Sequence, residues 1–142
     1  MPQKISFTLD GKKVEADKDL TIWEIANGQE IKIPHLCHKP TPAYRPDGNC
    51  RACMVEIEGE RTLAASCIRE PTDGMVVSTN TDRAKSSRKM VVEMLLSDQP
   101  ESSISHDRSS HFWDVAEQNK ICLLYTSPSP RDRSISRMPS SA

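Results

Sequence analysis

The sequence has few aromatic residues and no long apolar stretch. Phe, Trp and Tyr together make up 4% of its 142 residues. No run of 18 apolar residues occurs, so the sequence predicts no membrane span. Its first residues carry neither an apolar h-region nor a cleavage site, which predicts no secretory signal. A formal net charge of −1 predicts no nucleic-acid surface and no anionic membrane partner. These absences predict a cytoplasmic protein with a small core of Ile, Val, Leu and Ala.

Cysteine is sparse but clustered. Four of the five cysteines are Cys37, Cys50, Cys53 and Cys67, with gaps of twelve, two and thirteen residues. Disulfides are rare in a reducing cytoplasm. Clustered thiols in that compartment therefore predict metal ligation.

The spacing of the thiols bears on which metal they bind. A four-cysteine zinc site usually has two Cys-x-x-Cys pairs, whereas this chain has one, at Cys50 and Cys53. A 2Fe-2S cluster takes four thiolates, two per iron, and needs a loop whose backbone N–H groups face the sulfurs. Gly48 permits the positive φ that such a loop demands. The spacing favours a 2Fe-2S centre on all four cysteines, and a structural zinc site remains the alternative.

The first 30 residues predict a hairpin and a helix. Apolar residues alternate over 5–9, Asp10-Gly11 is a hairpin turn, and residues 13–16 form the returning strand. The motif Thr21-x-x-Glu24 predicts a capping box, and Gly28 can close the helix.

Residues 34–46 contain four prolines, which exclude a helix or a central strand there. Further strands are predicted at 54–58, 62–65 and 75–79. The order of strand, strand, helix, loop, hairpin and strand predicts an α+β protein with a β-grasp (ubiquitin-like) fold.

A helical extension is predicted after this domain. Thr81 caps a second helix, which Asp98-Gln-Pro100 ends. Its predicted apolar face is Ala84, Val91, Met94 and Leu95. The residues predicted to lie outside that face are Arg83, Lys85, Arg88 and Lys89. Residues 101–121 resemble the start of a helix whose partner lies further downstream.

Residues 122–142 are predicted to be foreign to the protein. They resemble translated sequencing-adapter DNA, in two parts that share one reading frame, and such segments are excluded from fold reasoning. Cys122 is therefore not a predicted ligand. The predicted organisation is a β-grasp domain with the predicted 2Fe-2S centre at 1–80, a helical region at 81–121 and a non-native, disordered tail at 122–142.

Three segments carry a family resemblance. They are Ile33-Pro-His-Leu-Cys37, Arg45-Pro-Asp-Gly-Asn-Cys-Arg-Ala-Cys-Met-Val-Glu-Ile-Glu58 and Ala65-Ser-Cys-Ile68. Together they resemble the N-terminal ferredoxin domain of the complex I G-subunit superfamily. The long first gap and Tyr44-Arg-Pro-Asp are similar to the alpha subunit of cytoplasmic, NAD-dependent molybdenum or tungsten formate dehydrogenases. The resemblance covers residues 3–121 and implies a β-grasp fold with one 2Fe-2S cluster on Cys37, Cys50, Cys53 and Cys67.

The resemblance also implies a role. The chain would be an electron-transfer module, the N-terminal fragment of an oxidoreductase whose catalytic domain lies downstream. Its implied partners are the downstream iron-sulfur and molybdopterin domains of the same parent chain, and flavin- and NAD-binding subunits. The alternatives are a fragment of an NADH-quinone oxidoreductase G-subunit or of an iron hydrogenase, and, in a different class, a structural zinc module.

One departure from the family pattern concerns a second cluster. Many relatives follow the second helix with Asn-His-Pro and three cysteines, which bind a 4Fe-4S cluster. The matching place here reads Asp98-Gln99-Pro100, followed by serines at 102, 103 and 105. We therefore predict that residues 81–121 hold no 4Fe-4S cluster, and that 4Fe-4S and molybdopterin sites belong to the missing downstream part.

Smaller signals have ordinary explanations. His106 and His111 could form a metal pair, but without a carboxylate framework solvated histidines are the favoured interpretation. His35 and His38 flank Cys37 and could replace a thiolate, but four cysteines are already supplied. The arginines at 45 and 51 could raise a cluster's potential or meet a partner, or simply be solvated.

Overall fold

The computed structural model describes residues 3–121. The predicted tail at 122–142, with Cys122, lies outside the described residues. Five strands and three helices are present in the described part. In chain order they are β1 (Lys4–Leu9), β2 (Lys12–Asp17), α1 (Ile22–Gly28), β3 (Met54–Ile57), β4 (Ala64–Ala65), β5 (Val76–Ser78), α2 (Asp82–Ser97) and α3 (His111–Gln118).

The strands form one mixed sheet in the order β2-β1-β5-β3-β4. β1 pairs antiparallel with β2 and parallel with β5, while β5 and β4 both pair antiparallel with β3. β5, the last of the five described strands, is thus the central strand of the sheet. This mixed sheet, together with the helix α1, confirms the predicted α+β class and β-grasp fold.

The first hairpin follows directly from its sequence. In β1, Phe7 and Leu9 are buried, as the alternation predicts. Asp10 and Gly11 both have positive φ, 49° and 81°, which a two-residue turn of this hand requires. The return strand β2 is in register with β1 along its whole length, from Lys12 to Asp17.

Helix α1 begins with the predicted capping box. The Thr21 hydroxyl accepts a hydrogen bond from the Glu24 N–H, and the Glu24 carboxylate accepts one from the Thr21 N–H at 2.8 Å. The helix ends at Gly28, as predicted, although the residue with left-handed φ is Glu30. Four helix residues are buried in the main core: Ile22, Trp23, Ile25 and Ala26.

The buried face of α2 differs from the prediction. It consists of Ala84, Arg88 and Val92, whereas Met94 is 59% exposed. Arg88 was predicted to lie outside, but its guanidinium reaches inward and donates to the Thr79 carbonyl at 2.7 Å. A long side chain can bury its aliphatic part when its polar end has a hydrogen-bond acceptor. Here the acceptor lies outside the helix, so the pattern of residues in α2 could not predict it.

Helix α3 packs on α2. Val115 and Ala116 are buried together with Val92, and Leu36 from the proline-rich loop packs against the same cluster. The prediction that the partner of this helix lies downstream is therefore wrong for this face. In residues 3–121, no helix is both long enough and apolar enough to cross a membrane.

Candidate metal centre

The four predicted ligands lie at one end of the sheet. Cys37 belongs to the long loop between α1 and β3, and Cys50 and Cys53 are at the end of that loop. Cys67 follows β4. The pairing of β4 with β3 brings the last cysteine back beside the Cys-x-x-Cys pair. All four are free thiols.

Cys37 and Cys50 form the outer pair, and both are partly exposed. The backbone N–H groups of Cys37 and Ala52 each donate to the Sγ of Cys50, both at 3.4 Å. Burial raises the pKa of Cys50, and the hydrogen bonds to its sulfur only partly offset this. Burial also acts to raise the pKa of Cys37, but hydrogen bonds from Cys50 and Asn49 outweigh it and leave that pKa lowered.

Cys53 and Cys67 form the inner pair, and both are buried. A hydrogen bond from the Cys67 thiol lowers the pKa of Cys53 to about 6, against the opposing effect of burial. The same hydrogen bond, together with burial, raises the pKa of Cys67. One thiolate therefore forms readily in this pair, and the second needs a cation beside it, since like charges oppose its ionisation.

Ser66 joins the two segments that carry the inner pair. Its hydroxyl donates to the Cys53 carbonyl at 2.7 Å, and its N–H donates to the same oxygen at 3.3 Å. Its own carbonyl accepts from the N–H of Trp23, at the start of α1. The position of Cys67 is thus fixed from both β3 and α1.

The loop before the Cys-x-x-Cys pair turns sharply. Ala43, Gly48 and Arg51 have positive φ values of 65°, 66° and 59°. Directly after Arg51, the Ala52 N–H donates to Cys50 Sγ at 3.4 Å. The Tyr44 hydroxyl donates to the Cys37 carbonyl at 2.7 Å and ties the tip of the loop to the first cysteine.

The thiols come together as two pairs. Within residues 3–121, no three His, Cys, Asp or Glu side chains are grouped so that they could hold one metal ion. The two pairs are joined by the Cys-x-x-Cys segment, in which Cys50 of the outer pair is three positions from Cys53 of the inner pair. His106 is exposed, which fits the interpretation of a solvated histidine.

The other candidate side chains have structural contacts. His111 lies against His35, with Nε2 2.8 Å from the His35 carbonyl oxygen. His38 is buried beside Trp23, with ring centroids 4.5 Å apart, and neither of its ring nitrogens has a hydrogen-bond partner. Arg51 is exposed, and so is the arginine at 45, which fits the interpretation of solvated side chains.

Sequence reasoning did not single out Trp23, Tyr44, Ser66 or His111 as contributors to this site. Ser66 could have been found because it precedes a predicted ligand and follows a predicted strand. The contacts of His111 could not have been found from the sequence, since they join residues 76 positions apart.

A β-grasp sheet with four cysteines at one end, three of them on the long loop between α1 and β3, defines a ferredoxin-type domain. A family model described as a 2Fe-2S iron-sulfur cluster binding domain matches residues 2–82. The match includes all four cysteines and more than half of the chain. The chain belongs to this family.

Several curated proteins are similar to the chain. The NADP-reducing hydrogenase subunit HndD of Solidesulfovibrio fructosivorans is 41% identical over 99 residues. The mitochondrial NADH-ubiquinone oxidoreductase 78 kDa subunit of Candida albicans is 37% identical over 97 residues. The NADH-quinone oxidoreductase G-subunit of Rickettsia bellii is 34% identical over 96 residues. Each match covers 68% of this chain, but only 17%, 13% and 14% of the respective relatives.

A solved structure has the same fold. A chain in the crystal structure of an NAD+-reducing NiFe-hydrogenase in the H2-reduced state superposes with a TM-score of 0.74 at 24% identity. The match covers 88% of this chain and 53% of that chain. At this identity the likeness concerns the fold alone.

Proposed function

We propose that Cys37, Cys50, Cys53 and Cys67 ligate one 2Fe-2S cluster, with the outer pair on one iron and the inner pair on the other. The observation that carries the proposal is the pairing of the thiols. A two-iron cluster takes two thiolates per iron; the Cys37 N–H donates to Cys50 Sγ at 3.4 Å, and Ser66 ties the segment of Cys67 to the Cys53 carbonyl. A four-cysteine zinc site usually has two Cys-x-x-Cys pairs, whereas this chain has one.

A 2Fe-2S cluster supplies reversible one-electron chemistry. The protein's part is to hold the sulfurs and to stabilise the added negative charge. The N–H groups of Cys37 and Ala52 point at Cys50 Sγ, and such donors favour the reduced state. No substrate bond is made or broken on these residues, so the chain acts as an electron-transfer module.

The difference in exposure between the two pairs marks the face on which the module would exchange electrons. Cys53 is 1% exposed and Cys67 is 0% exposed, whereas Cys37 and Cys50 are partly open to solvent. Electrons exchanged with a centre outside residues 3–121 would pass through the outer pair, since the path through protein is shorter there. A partner centre would therefore face the loop that carries Cys37.

The chain spans less than a fifth of the length of the three relatives. We propose that it is the N-terminal part of a longer cytoplasmic oxidoreductase chain, with residues 1–80 as the cluster domain and 81–121 as a helical extension. The parent would be the alpha subunit of an NAD-dependent formate dehydrogenase, with molybdopterin and further iron-sulfur sites downstream and flavin- and NAD-binding partner subunits.

Two observations favour different candidates for the longer protein to which this chain would belong. Asp98-Gln99-Pro100, the serines that follow and the long loop at Tyr44 support the formate dehydrogenase branch, because the usual ligands of the next 4Fe-4S cluster are missing. The identity of 41% to a hydrogenase subunit favours the second candidate, a hydrogenase or NADH-quinone oxidoreductase subunit. Sequencing the genomic DNA downstream of codon 121 distinguishes the two parents.

The cluster itself is tested on anaerobically purified protein. We expect a brown protein with two irons and two acid-labile sulfides per chain, and one spin-half electron paramagnetic resonance signal after reduction. Stoichiometric zinc with no labile sulfide would instead establish the structural zinc module. Full activity with formate is not expected from this chain alone, since the proposed catalytic domain lies downstream.

A further inference from the structure

We propose that His111, on the last helix, is a positioning residue for the cluster loop. It holds the segment that precedes Cys37 and thereby sets the reduction potential and the stability of the centre. The inference rests on the proposed 2Fe-2S cluster. It gives the helical extension a role within the same site.

The central contact is a hydrogen bond between distant parts of the chain. The His111 Nε2 lies 2.8 Å from the His35 carbonyl oxygen, across 76 residues of sequence. A carbonyl oxygen only accepts, so Nε2 is the donor. The two imidazole rings also lie against each other, with centroids 4.6 Å apart.

The segment is held from the opposite side by α1. The ring of Trp23 meets the ring of His35 edge-on at 4.6 Å, and its Nε1 donates to the Ile33 carbonyl at 3.1 Å. The His35 ring therefore lies between Trp23 of the sheet domain and His111 of the extension. The carbonyls at positions 33 and 35 thus each have a fixed donor.

A second contact from the extension reaches the next residue. Leu36 packs against the small core of Val92, Val115 and Ala116, which α2 and α3 form between them. The two residues immediately before Cys37 are thus both anchored to the extension, one through its backbone and one through its side chain. Residues 81–121 therefore form part of the support of the site.

This anchoring matters because the backbone of Cys37 is itself in the site. The Cys37 N–H donates to Cys50 Sγ at 3.4 Å, and it lies on the peptide bond that follows Leu36. If the preceding segment moves, this donor moves with it. Hydrogen bonds to ligating sulfurs tune the potential of iron-sulfur centres, and a lost donor disfavours the more negative reduced state.

The test uses the whole 142-residue chain, loaded with its cluster, in four variants. His111→Phe keeps a ring of similar size but removes the donor, and His111→Gln keeps an N–H donor on a flexible side chain. Val115→Ala loosens α3 at a second point, in the small core against which Leu36 packs. His106→Phe is the matched control, because His106 is exposed and precedes α3.

We expect His111→Phe to lower the midpoint potential, broaden the electron paramagnetic resonance signal and speed cluster loss to a chelator about fivefold, the factor of one ordinary hydrogen bond. His111→Gln should have a midpoint potential and a line shape close to those of the unsubstituted protein. Val115→Ala should move all three readouts in the direction of His111→Phe. A purely structural role would lower thermal stability without changing the potential or the line shape.

Other outcomes would refute the proposal. If His111→Phe matches His106→Phe in all three readouts, or if His111→Gln is as altered as His111→Phe, the donor has no positioning role. If circular dichroism shows that His111→Phe is unfolded, an unchanged potential in Val115→Ala refutes it. If the unsubstituted protein contained no labile sulfide, the proposed cluster itself would be refuted. Equal potentials among cluster-loaded variants would instead refute only the role of His111.

Discussion

A Cβ atom added to Gly48 would lie 2.7 Å from Cδ1 of Ile68 and 3.2 Å from its Cγ1. Gly48 precedes the Cys-x-x-Cys pair, and Ile68 follows the last cysteine of the quartet. The two segments that carry ligands therefore touch through a residue with no side chain. Gly48 also has a positive φ of 66°, so both the space and the backbone require glycine.

We expect Gly48→Ala to destabilise the protein more than Gly59→Ala. Gly59 also has a positive φ but nothing lies within 4 Å of its added Cβ, so that variant measures backbone strain alone, roughly 1–2 kcal/mol. Urea denaturation followed by circular dichroism gives both values. Replacing Ile68 with Ala in the Gly48→Ala background should recover the difference, and an equal loss in both glycine variants would show that the contact with Ile68 is unimportant.

Each proposed ligand can be tested by replacement with serine. Serine oxygen is a much poorer ligand for iron than thiolate sulfur, so Cys37→Ser, Cys50→Ser, Cys53→Ser and Cys67→Ser should each lose most of the labile sulfide and visible absorption. Cys122→Ser, which changes the one cysteine outside the proposed quartet, should keep both. A variant of the quartet that retains a full complement of labile sulfide would remove that residue from the ligand set.

The turn of the first hairpin also supports the end of β5. The two carboxylate oxygens of Asp10 accept from the Thr79 N–H and the Thr79 hydroxyl, both at 2.6 Å. Asp10→Ala should lower the free energy of unfolding by roughly 3 kcal/mol, since hydrogen bonds to charged groups are the strong ones. Asp10→Asn keeps one acceptor and tolerates the positive φ, so it should lose less. Chemical denaturation checks the order, and equal losses would contradict it.

His35 makes stability depend on pH. Burial is the main cause that lowers its pKa below the ordinary 6.5, and nearby His111 and His38 add to the effect, while a hydrogen bond to the Ile33 carbonyl opposes it. The unfolded chain therefore binds the proton first as the pH falls. The stabilising contribution is present above pH 6.5 and is lost as the pH drops through the folded-state pKa.

His35→Phe keeps the ring contacts and removes this titration. Between about pH 7 and pH 5, the free energy of unfolding of the unsubstituted protein should fall more steeply than that of His35→Phe. Urea denaturation at a series of pH values measures both slopes. Parallel slopes would show that the His35 imidazole takes up its proton equally well in both states.

The parts of the fold that were predicted correctly depend on neighbours in sequence. The Asp10-Gly11 turn, the capping box at Thr21 and the end of α2 at Ser97 each follow from residues within one or two turns of chain. The quartet could be proposed from the sequence because its spacing and composition are local to a 31-residue stretch, and its role as a ligand set stays a prediction.

The parts that were missed depend on distant partners. Arg88 was placed on the solvent side of α2 because a charged side chain usually lies there, yet the Thr79 carbonyl accepts its hydrogen bond. The packing of Val115 on Val92 was missed because 101–121 carries too few apolar residues to identify its partner. The periodicity of apolar residues predicts which side of a helix is buried. It does not predict which other element packs on that side, which only the tertiary structure shows.

The central position of β5 has a consequence for synthesis on the ribosome. β1 cannot acquire its parallel neighbour until residues 76–78 have been made, because Thr8 and Leu9 pair with Val76 and Val77. Every cysteine of the quartet is therefore translated before the sheet can close. Until residues 76–78 have paired with β1, the quartet has no completed sheet beside it, and oxidants and competing metals have their easiest access to its thiols in that interval.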